Sequence, residues 1–305
     1  MVDNATRNYL IVTGGYWAFT VTDGAIRMLV VLYFHLLGYS PFEVAMLFLF
    51  YEFFGVVTNL VGGWLGARIG LNLTMNIGMA MQVIALAMLT VPDTLLSVPY
   101  VMAAQALSGI AKDLNKMSAK ASVKTLVSGD LESRLFKWVA MLTGSKNALK
   151  GAGYFAGAGL LDWIGFRSSL AVLAIALALV LLVTLFMLPG RVGKTSGKVK
   201  FTQVFSNIPA INRLSAARFF LFGSRDVWFV VALPVFLYEV LGWSFTTVGS
   251  FMALWIIGYG FVQALSPRLF AAMNHHPSGH TAIWAVVVLA FIPALIALGL
   301  DEQLS

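Results

Sequence analysis

Leu37-Gly38-Tyr39-Ser40 opens a long hydrophobic segment in the first half of this 305-residue chain, and Leu241-Gly242-Trp243-Ser244 opens a matching segment in the second half. The two stretches begin 204 residues apart, and the same register pairs Tyr51 with Trp255. A repeat of two hydrophobic halves is typical of secondary transporters, which place the substrate site between the halves near the middle of the membrane. The repeat therefore predicts a membrane transporter.

The composition is that of a protein embedded in lipid. Hydrophobic residues make up 59% of the chain and charged residues 11%, whereas soluble domains carry about 25% charged residues. We therefore expect an all-α polytopic membrane protein that contacts the lipid bilayer and binds no nucleic acid, despite a net charge of +7. The absence of cysteine excludes disulfide bonds and thiolate metal sites.

Nine hydrophobic runs are long enough to cross a membrane as helices, with Pro and Gly turns between them. If the amino terminus is cytoplasmic, twelve basic residues fall in cytoplasmic segments and only Arg167 falls in an outer one. This imbalance predicts a multi-pass protein of the cell (inner) membrane with a cytoplasmic amino terminus. The predicted spans are 9–34, 43–66, 72–91, 97–118, 137–160, 167–188, 214–238, 246–270 and 281–300.

The distribution of the spans predicts two unequal halves. Residues 1–190 form an N-terminal half of six helices, 191–212 form a cytoplasmic central loop, and 213–305 form a partial C-terminal half of about three helices. If the repeat unit is six helices, about nine of twelve are present, and we expect the second half to be truncated.

Eleven ionisable residues are predicted to lie within the spans. Each such group costs roughly 2.5–3.5 kcal/mol on insertion scales and usually faces a cavity or a partner. Lys112 and Lys116 share one helical face, and Lys146 and Lys150 share another, as expected of helices that line a water-filled cavity. The eleven residues are the bases Arg27, Lys112, Lys116, Lys146, Lys150, Arg218 and Arg225 and the acids Asp23, Glu52, Asp113 and Asp226.

The excess of bases predicts a central site for an anionic small molecule. Arg27, Lys112, Lys116, Lys146, Lys150 and Arg225 are the candidate substrate-binding residues, and Asp23, Glu52, Asp113 and Asp226 are the candidate proton carriers.

Alternative readings of the same charges stay open. In one alternative, Asp23 with Arg27 and Arg225 with Asp226 are self-neutralising pairs that only hold the helices together. Asp23 and Arg27 are four residues apart and share one helical face. Arg218 is placed to extend toward the cytoplasmic surface. Lys146 and Lys150 have no acid at helical spacing, which favours a role in the cavity. Glu52 stands alone in an aromatic run.

The arrangement of helices resembles the major facilitator superfamily. The signature that follows the second helix of that superfamily, Gly-x-Leu-x-Asp-Arg-x-Gly-Arg-Lys, corresponds to Gly63–Asn72 (GWLGARIGLN). Both glycines, the leucine and the arginine match, but Ala67 replaces the acid and Leu71 and Asn72 replace the two bases. The resemblance implies twelve helices in two halves.

Five stretches look like the ArsJ-type organoarsenical efflux permeases within that superfamily. The resemblance implies export of 1-arseno-3-phosphoglycerate for arsenate resistance, by proton antiport and alternating access. It also implies a functional partnership with glyceraldehyde-3-phosphate dehydrogenase, which makes that compound. The stretches are Asn8–Gly14 (NYLIVTG), Tyr16–Thr20 (YWAFT), Gly109–Lys120 (GIAKDLNKMSAK), Leu142–Lys150 (LTGSKNALK) and Arg225–Pro234 (RDVWFVVALP).

Other functions fit the sequence less well or stay as alternatives. We expect no enzyme and no cofactor, because the chain has neither a Ser/His/Asp grouping nor a phosphate-cradling loop. His275, His276 and His280 lie in a short predicted loop, and we expect them to be solvated and to bind no metal. A generic sugar-phosphate or drug permease of the same fold, and a non-transporting truncated remnant, remain alternatives.

Overall fold

The structure is a computed structural model that describes residues 4–126, 131–188, 208–226, 233, 236–243, 245–272 and 279–304. The described part is helical apart from short connections, as the sequence predicted. The helices are α1 (Asn4–Leu36), α2 (Pro41–Leu47), α3 (Leu49–Ile69), α4 (Leu71–Met88), α5 (Val98–Leu126), α6 (Leu131–Ile164), α7 (Phe166–Met187), α8 (Pro209–Asp226), α9 (Phe245–Ala272) and α10 (Gly279–Leu304), with a 3-10 turn at Asp93–Leu95 and a π-helical turn at Phe236–Val240.

Each predicted span coincides with helical structure, which confirms the all-α fold. The second span is divided at Phe48 into α2 and α3, and the seventh corresponds to α8 and to the turn at Phe236–Val240. Helices α5 and α6 extend beyond their predicted spans, because a hydropathy pattern ends where lysines begin although a helix continues through them. The central loop predicted at 191–212 falls largely outside the described residues, and its bounds stay a prediction.

Some helices are apolar enough to cross a membrane by themselves, and others are not. By length and composition the former are Arg7–Leu36, Leu71–Met88, Phe166–Met187 and Ser250–Ala271. Helices α5 and α6 are long but do not meet that criterion, because each carries several lysines and other polar residues. Their charges need contacts from neighbouring helices in the bilayer.

The chain forms two compact units, residues 1–264 and 265–305. In the first unit α1 packs along α6, and α5 packs against both α3 and α4. Its core includes the buried side chains of Phe34, Leu86 and Leu170. The second unit contains the end of α9 and the whole of α10, whose side chains are largely exposed, as expected of surfaces that meet lipid or further protein.

Glycines determine how closely α1 and α6 approach. A Cβ atom built at Gly153 would lie 2.5 Å from the carbonyl oxygen of Val21, and one built at Gly157 would lie 2.6 Å from the carbonyl oxygen of Ala25. Two glycines four residues apart in a membrane helix permit such backbone contact. This contact brings the polar face of α6 next to the polar face of α1.

One small polar cluster joins the ends of three elements, α1, the 3-10 turn and α7. The Tyr33 hydroxyl donates a 2.7 Å hydrogen bond to Asp93 Oδ1, and Arg167 forms a 2.9 Å ion pair with the same oxygen. The hydrogen bond from Tyr33 and the nearby Arg167 guanidinium hold the pKa of the Asp93 carboxyl below its usual range. The one base predicted on the outer side therefore has an acidic partner.

The contact between α1 and α6 leads to a test of packing. We expect Gly153→Ala to destabilise the purified protein by about 1–3 kcal/mol, because the added methyl group overlaps the α1 backbone. Gly159→Ala is the matched control, since a Cβ atom there meets nothing within 4 Å. Thermal unfolding in detergent should show a lower Tm for the first variant only. An equal Tm for both variants would contradict the close approach.

Candidate functional site

Eight of the predicted site residues come together where α1, α3, α5 and α6 meet. We call this group the cationic cluster. Its five bases and three acids leave a formal excess of two positive charges. The members are Asp23, Arg27, Glu52, Lys112, Asp113, Lys116, Lys146 and Lys150.

Tyr51 of α3 is the aromatic centre of the cationic cluster. Its side chain is fully buried, and its hydroxyl donates a 2.6 Å hydrogen bond to Asp23 Oδ1. The Arg27 guanidinium and the Lys112 ammonium each lie 4.1 Å from the centroid of the tyrosine ring. Cation–π contacts of this kind strengthen when desolvated. Tyr51 therefore contacts an acid and a base of α1 and a base of α5.

Glu52 connects the same two bases through its carboxylate. Oε1 lies 2.6 Å from Arg27 Nη2, and Oε2 lies 3.4 Å from Lys112 Nζ. The sequence interpretation left Glu52 alone in an aromatic run and paired Asp23 with Arg27 within α1. The interpretation of Glu52 is wrong, because its partners come from two other helices and are not visible at helical spacing. The ion pair of Arg27 goes to Glu52 across helices.

Asp113 is the acid of α5 and lies between two lysines of its own helix. Its Oδ1 lies 2.8 Å from Lys116 Nζ, and its Oδ2 lies 3.9 Å from Lys112 Nζ. Gly55 of α3 makes room for this carboxylate, because a Cβ atom at Gly55 would lie 2.8 Å from Asp113 Oδ2. This geometry fits a carboxylate that orients the two lysines.

Lys150 of α6 forms an ion pair with an acid of α1. Its Nζ atom lies 3.7 Å from Asp23 Oδ2, although the sequence shows no acid at helical spacing in α6. Gly24 and Gly153 permit this contact, since the backbones of α1 and α6 touch beside it.

Lys146 differs from the other bases of the cluster. The charged groups that act on it are Lys150, Lys116 and Lys120, with Asp23 as the acid. Among the residues that the structure describes, no salt bridge or hydrogen bond partner of Lys146 is found. A half-buried ammonium surrounded by other ammonium groups is expected to attract an anion.

Several predicted residues lie outside the described part of the structure. The side chains of Arg218, Arg225 and Asp226 are not described, so their roles stay predictions. His275 and His276 are also outside it. Within the described residues, no group of three or more His, Asp or Glu side chains is placed to hold a metal ion.

Sequence reasoning missed Tyr51 and Gly55 as members of the site. The available signal for Tyr51 was its place in the repeat and its position next to Glu52. No sequence signal distinguished Gly55 from the other glycines, because its importance depends on the approach of α5. Tyr154 of α6 also faces the cluster, where it interacts electrostatically with Arg27, Asp23 and Glu52.

The stretch that matches the superfamily signature forms the junction of α3 and α4. Gly70 has φ +106° and ends α3 with a 2.9 Å hydrogen bond from its N–H to the Gly66 carbonyl oxygen. A side chain at this φ would be strained. Arg68 lies 5.2 Å from the centroid of the Trp64 ring, so the arginine has an aromatic partner in its own helix although Ala67 replaces the acid.

The role of Tyr51 can be tested by removing one atom. We expect Tyr51→Phe to lower stability by about 1–3 kcal/mol, because the buried Asp23 carboxylate loses a hydrogen bond while the ring contacts remain. Tyr39→Phe is the control, since the Tyr39 hydroxyl has no hydrogen bond within the described residues. Thermal unfolding should separate the two variants. Equal Tm values for Tyr51→Phe and Tyr39→Phe would show that the hydrogen bond from Tyr51 to Asp23 does not stabilise the protein.

Solved structures of transporters have a similar fold. A peptide transporter POT in complex with sulfate is similar with a TM-score of 0.51 and 16% sequence identity over 81% of this chain and 49% of that one. A mutant of a peptide transporter POT in complex with sulfate gives a TM-score of 0.50 and 16% identity over 81% of this chain and 48% of that one. The chain therefore spans about half the length of these transporter structures.

Comparison with protein families gives a match over nearly the whole chain. The model of the Major Facilitator Superfamily matches residues 12–301. A comparison with curated proteins found no match. The family match, the helical fold and the apolar helices agree in describing a multi-pass membrane protein, and the chain belongs to the Major Facilitator Superfamily.

Proposed function

We propose that this chain belongs to a secondary active efflux transporter that exports an anionic organoarsenical, 1-arseno-3-phosphoglycerate. The observation that carries the proposal is the cationic cluster, in which five bases face three acids. A fixed excess of positive charge within a membrane protein favours an anionic substrate over a neutral or cationic one.

The kind of base indicates the kind of anion. Four of the five bases are lysines, whose ammonium groups act as compact point charges with freely rotating donors, and the fifth is Arg27, whose planar guanidinium makes paired contacts. Phosphate, arsenate and carboxylate-like oxygens all accept such contacts. A substrate with two separate oxyanion groups would engage Lys146 and the Arg27 side of the cluster together.

The assignment to an arsenic compound rests on resemblance and on the absence of thiols. Two of the stretches that look like ArsJ-type permeases, Gly109–Lys120 and Leu142–Lys150, lie on α5 and α6 and supply the four lysines of the cluster. The chain has no cysteine. Trivalent arsenic favours thiolate ligands, whereas a pentavalent arseno-phosphate ester is a hard oxyanion that suits ammonium and guanidinium groups.

The proposed mechanism is alternating access driven by proton antiport. The two halves rock around the cluster, with the amino terminus in the cytoplasm and the protein in the inner membrane. Asp23, Glu52, Asp113 and Asp226 are the candidate carriers of the proton. Transport into vesicles that continued unchanged after collapse of the proton gradient would refute the antiport.

The substrate is tested in arsenate-treated cells that lack other arsenic exporters. Expression of the transporter should lower retained arsenic only when glyceraldehyde-3-phosphate dehydrogenase is also expressed, because that enzyme supplies the exported ester. The 305-residue chain is assayed beside a version extended to twelve helices. Equal export with and without the dehydrogenase would instead favour a generic permease of the same fold. Unchanged retention in every combination would contradict the arsenic assignment.

The lysines of α6 are tested in the same cells. We expect Lys146→Ala to reduce export about tenfold or more, because a charge-assisted contact to the substrate is lost. The expected loss is similar for Lys150→Ala, which also removes a partner of Asp23. Lys146→Ala is the cleaner variant, since it breaks no ion pair among the described residues.

Arg213→Ala serves as the control for charge removal, because Arg213 is an exposed base on α8 outside the cluster. Membrane insertion of every variant is measured by quantifying the protein in isolated membranes. Full export by both Lys146→Ala and Lys150→Ala would rule out the cationic cluster as the substrate site.

A further inference from the structure

Glu52 differs from the other two acids of the cationic cluster in its exposure. Its side chain is 57% exposed, although its two cationic partners, Arg27 and Lys112, are only 16% and 15% exposed. The side chains of Asp23 and Asp113 are 3% and 4% exposed. The Glu52 carboxylate therefore covers two buried cations from the open side of the cluster.

Asp23 and Asp113 are held by contacts to uncharged groups as well as by ion pairs, whereas Glu52 is held by ion pairs alone. Asp23 accepts a 2.6 Å hydrogen bond from the Tyr51 hydroxyl, and the Asp113 carboxylate is packed against Gly55. The carboxylate of Glu52 contacts only the two cations in the hydrogen bonds and ion pairs found among the described residues. Of the three acids, Glu52 is therefore the one whose side chain can move away from its partners without separating packed helices.

The two cations have more donor capacity than Glu52 uses. Arg27 Nε is buried without a hydrogen bond partner among the described residues, and Lys112 Nζ is at 3.4 Å from Glu52 Oε2, the long end of the hydrogen-bonding range. A buried donor without an acceptor is costly. A tetrahedral oxyanion has more acceptor oxygens than a carboxylate and can satisfy both groups.

We propose that Arg27 and Lys112 form an oxyanion subsite that Glu52 occupies in the substrate-free protein, and that a substrate oxyanion binds by displacing Glu52. The inference rests on the anion transport of the proposed function and adds a subsite and its internal competitor. The displaced Glu52 side chain, the most exposed of the three acids, turns to the open side of the cluster, where solvent replaces its two cations.

The charged groups that act on Glu52 come from three neighbouring helices. Arg27 lies on α1, Lys112 on α5 and Lys150 on α6. All three are bases, so an anion that replaces Glu52 is electrostatically accepted.

The test measures sulfate binding to the purified full chain at pH 8 by calorimetry. Sulfate is a suitable probe because it is a dianion at this pH. We expect Glu52→Gln to bind sulfate about tenfold more tightly than the wild type does, since the competing charge is gone.

Glu43→Gln is the matched control, because Glu43 is an exposed glutamate at the start of α2 that bonds Ser40 rather than a base. Glu43→Gln should leave the sulfate affinity unchanged. A purely structural Glu52 would give the opposite result, with a lower Tm and sulfate binding no tighter than in the wild type. That outcome, or no sulfate binding to either protein, would overturn the inference.

The outcome is separable from that of the arsenic experiment. Tighter sulfate binding by Glu52→Gln with unchanged arsenic retention in cells would support the subsite and refute the arsenic substrate. Dehydrogenase-dependent arsenic export together with unaltered sulfate binding by Glu52→Gln would refute the subsite alone.

Discussion

Tyr51 makes the contacts on which the polar centre of this protein depends. Its hydroxyl holds Asp23, and its ring lies against both Arg27 and Lys112. Charged groups at membrane depth are stable only where partners or water compensate them. Helices α5 and α6 are too polar to be explained as independent spans, and the contacts around Tyr51 show how α1, α3 and α5 compensate their charges together. The glycine contacts between α1 and α6 then bring Lys150 into the same centre.

The three acids of the cationic cluster do not neutralise its five bases, and the remaining positive charge favours an anion as ligand. Glu52 and Asp113 each serve two bases, whereas Lys146 is surrounded mainly by other lysines. A site that retains positive charge in a low-dielectric surrounding has a standing attraction for anions. Under the proposed function the site must also release its substrate, and the Glu52 carboxylate would supply the competing anion. Affinity and release are then set by the same few side chains.

The sequence predicted the helices and the polar faces, but it did not predict which charges meet. Helical spacing places Lys112 with Lys116 and Lys146 with Lys150, because those relations lie within one helix. The pairs of Glu52 with Arg27 and of Lys150 with Asp23 join different helices. Such pairs depend on helix rotation and on close approach at small residues, neither of which a periodic pattern specifies. The superfamily was recognisable because its signature is local, whereas the cationic cluster is assembled from distant segments.

The central claim is that fixed positive charge in the cationic cluster selects the substrate. Titration calorimetry of the purified protein with 3-phosphoglycerate, beside uncharged glycerol, tests it most directly. The account predicts saturable binding of 3-phosphoglycerate that weakens as salt is added, and no binding of glycerol. Binding of neither compound, or binding of 3-phosphoglycerate that is indifferent to salt, would contradict recognition by charge.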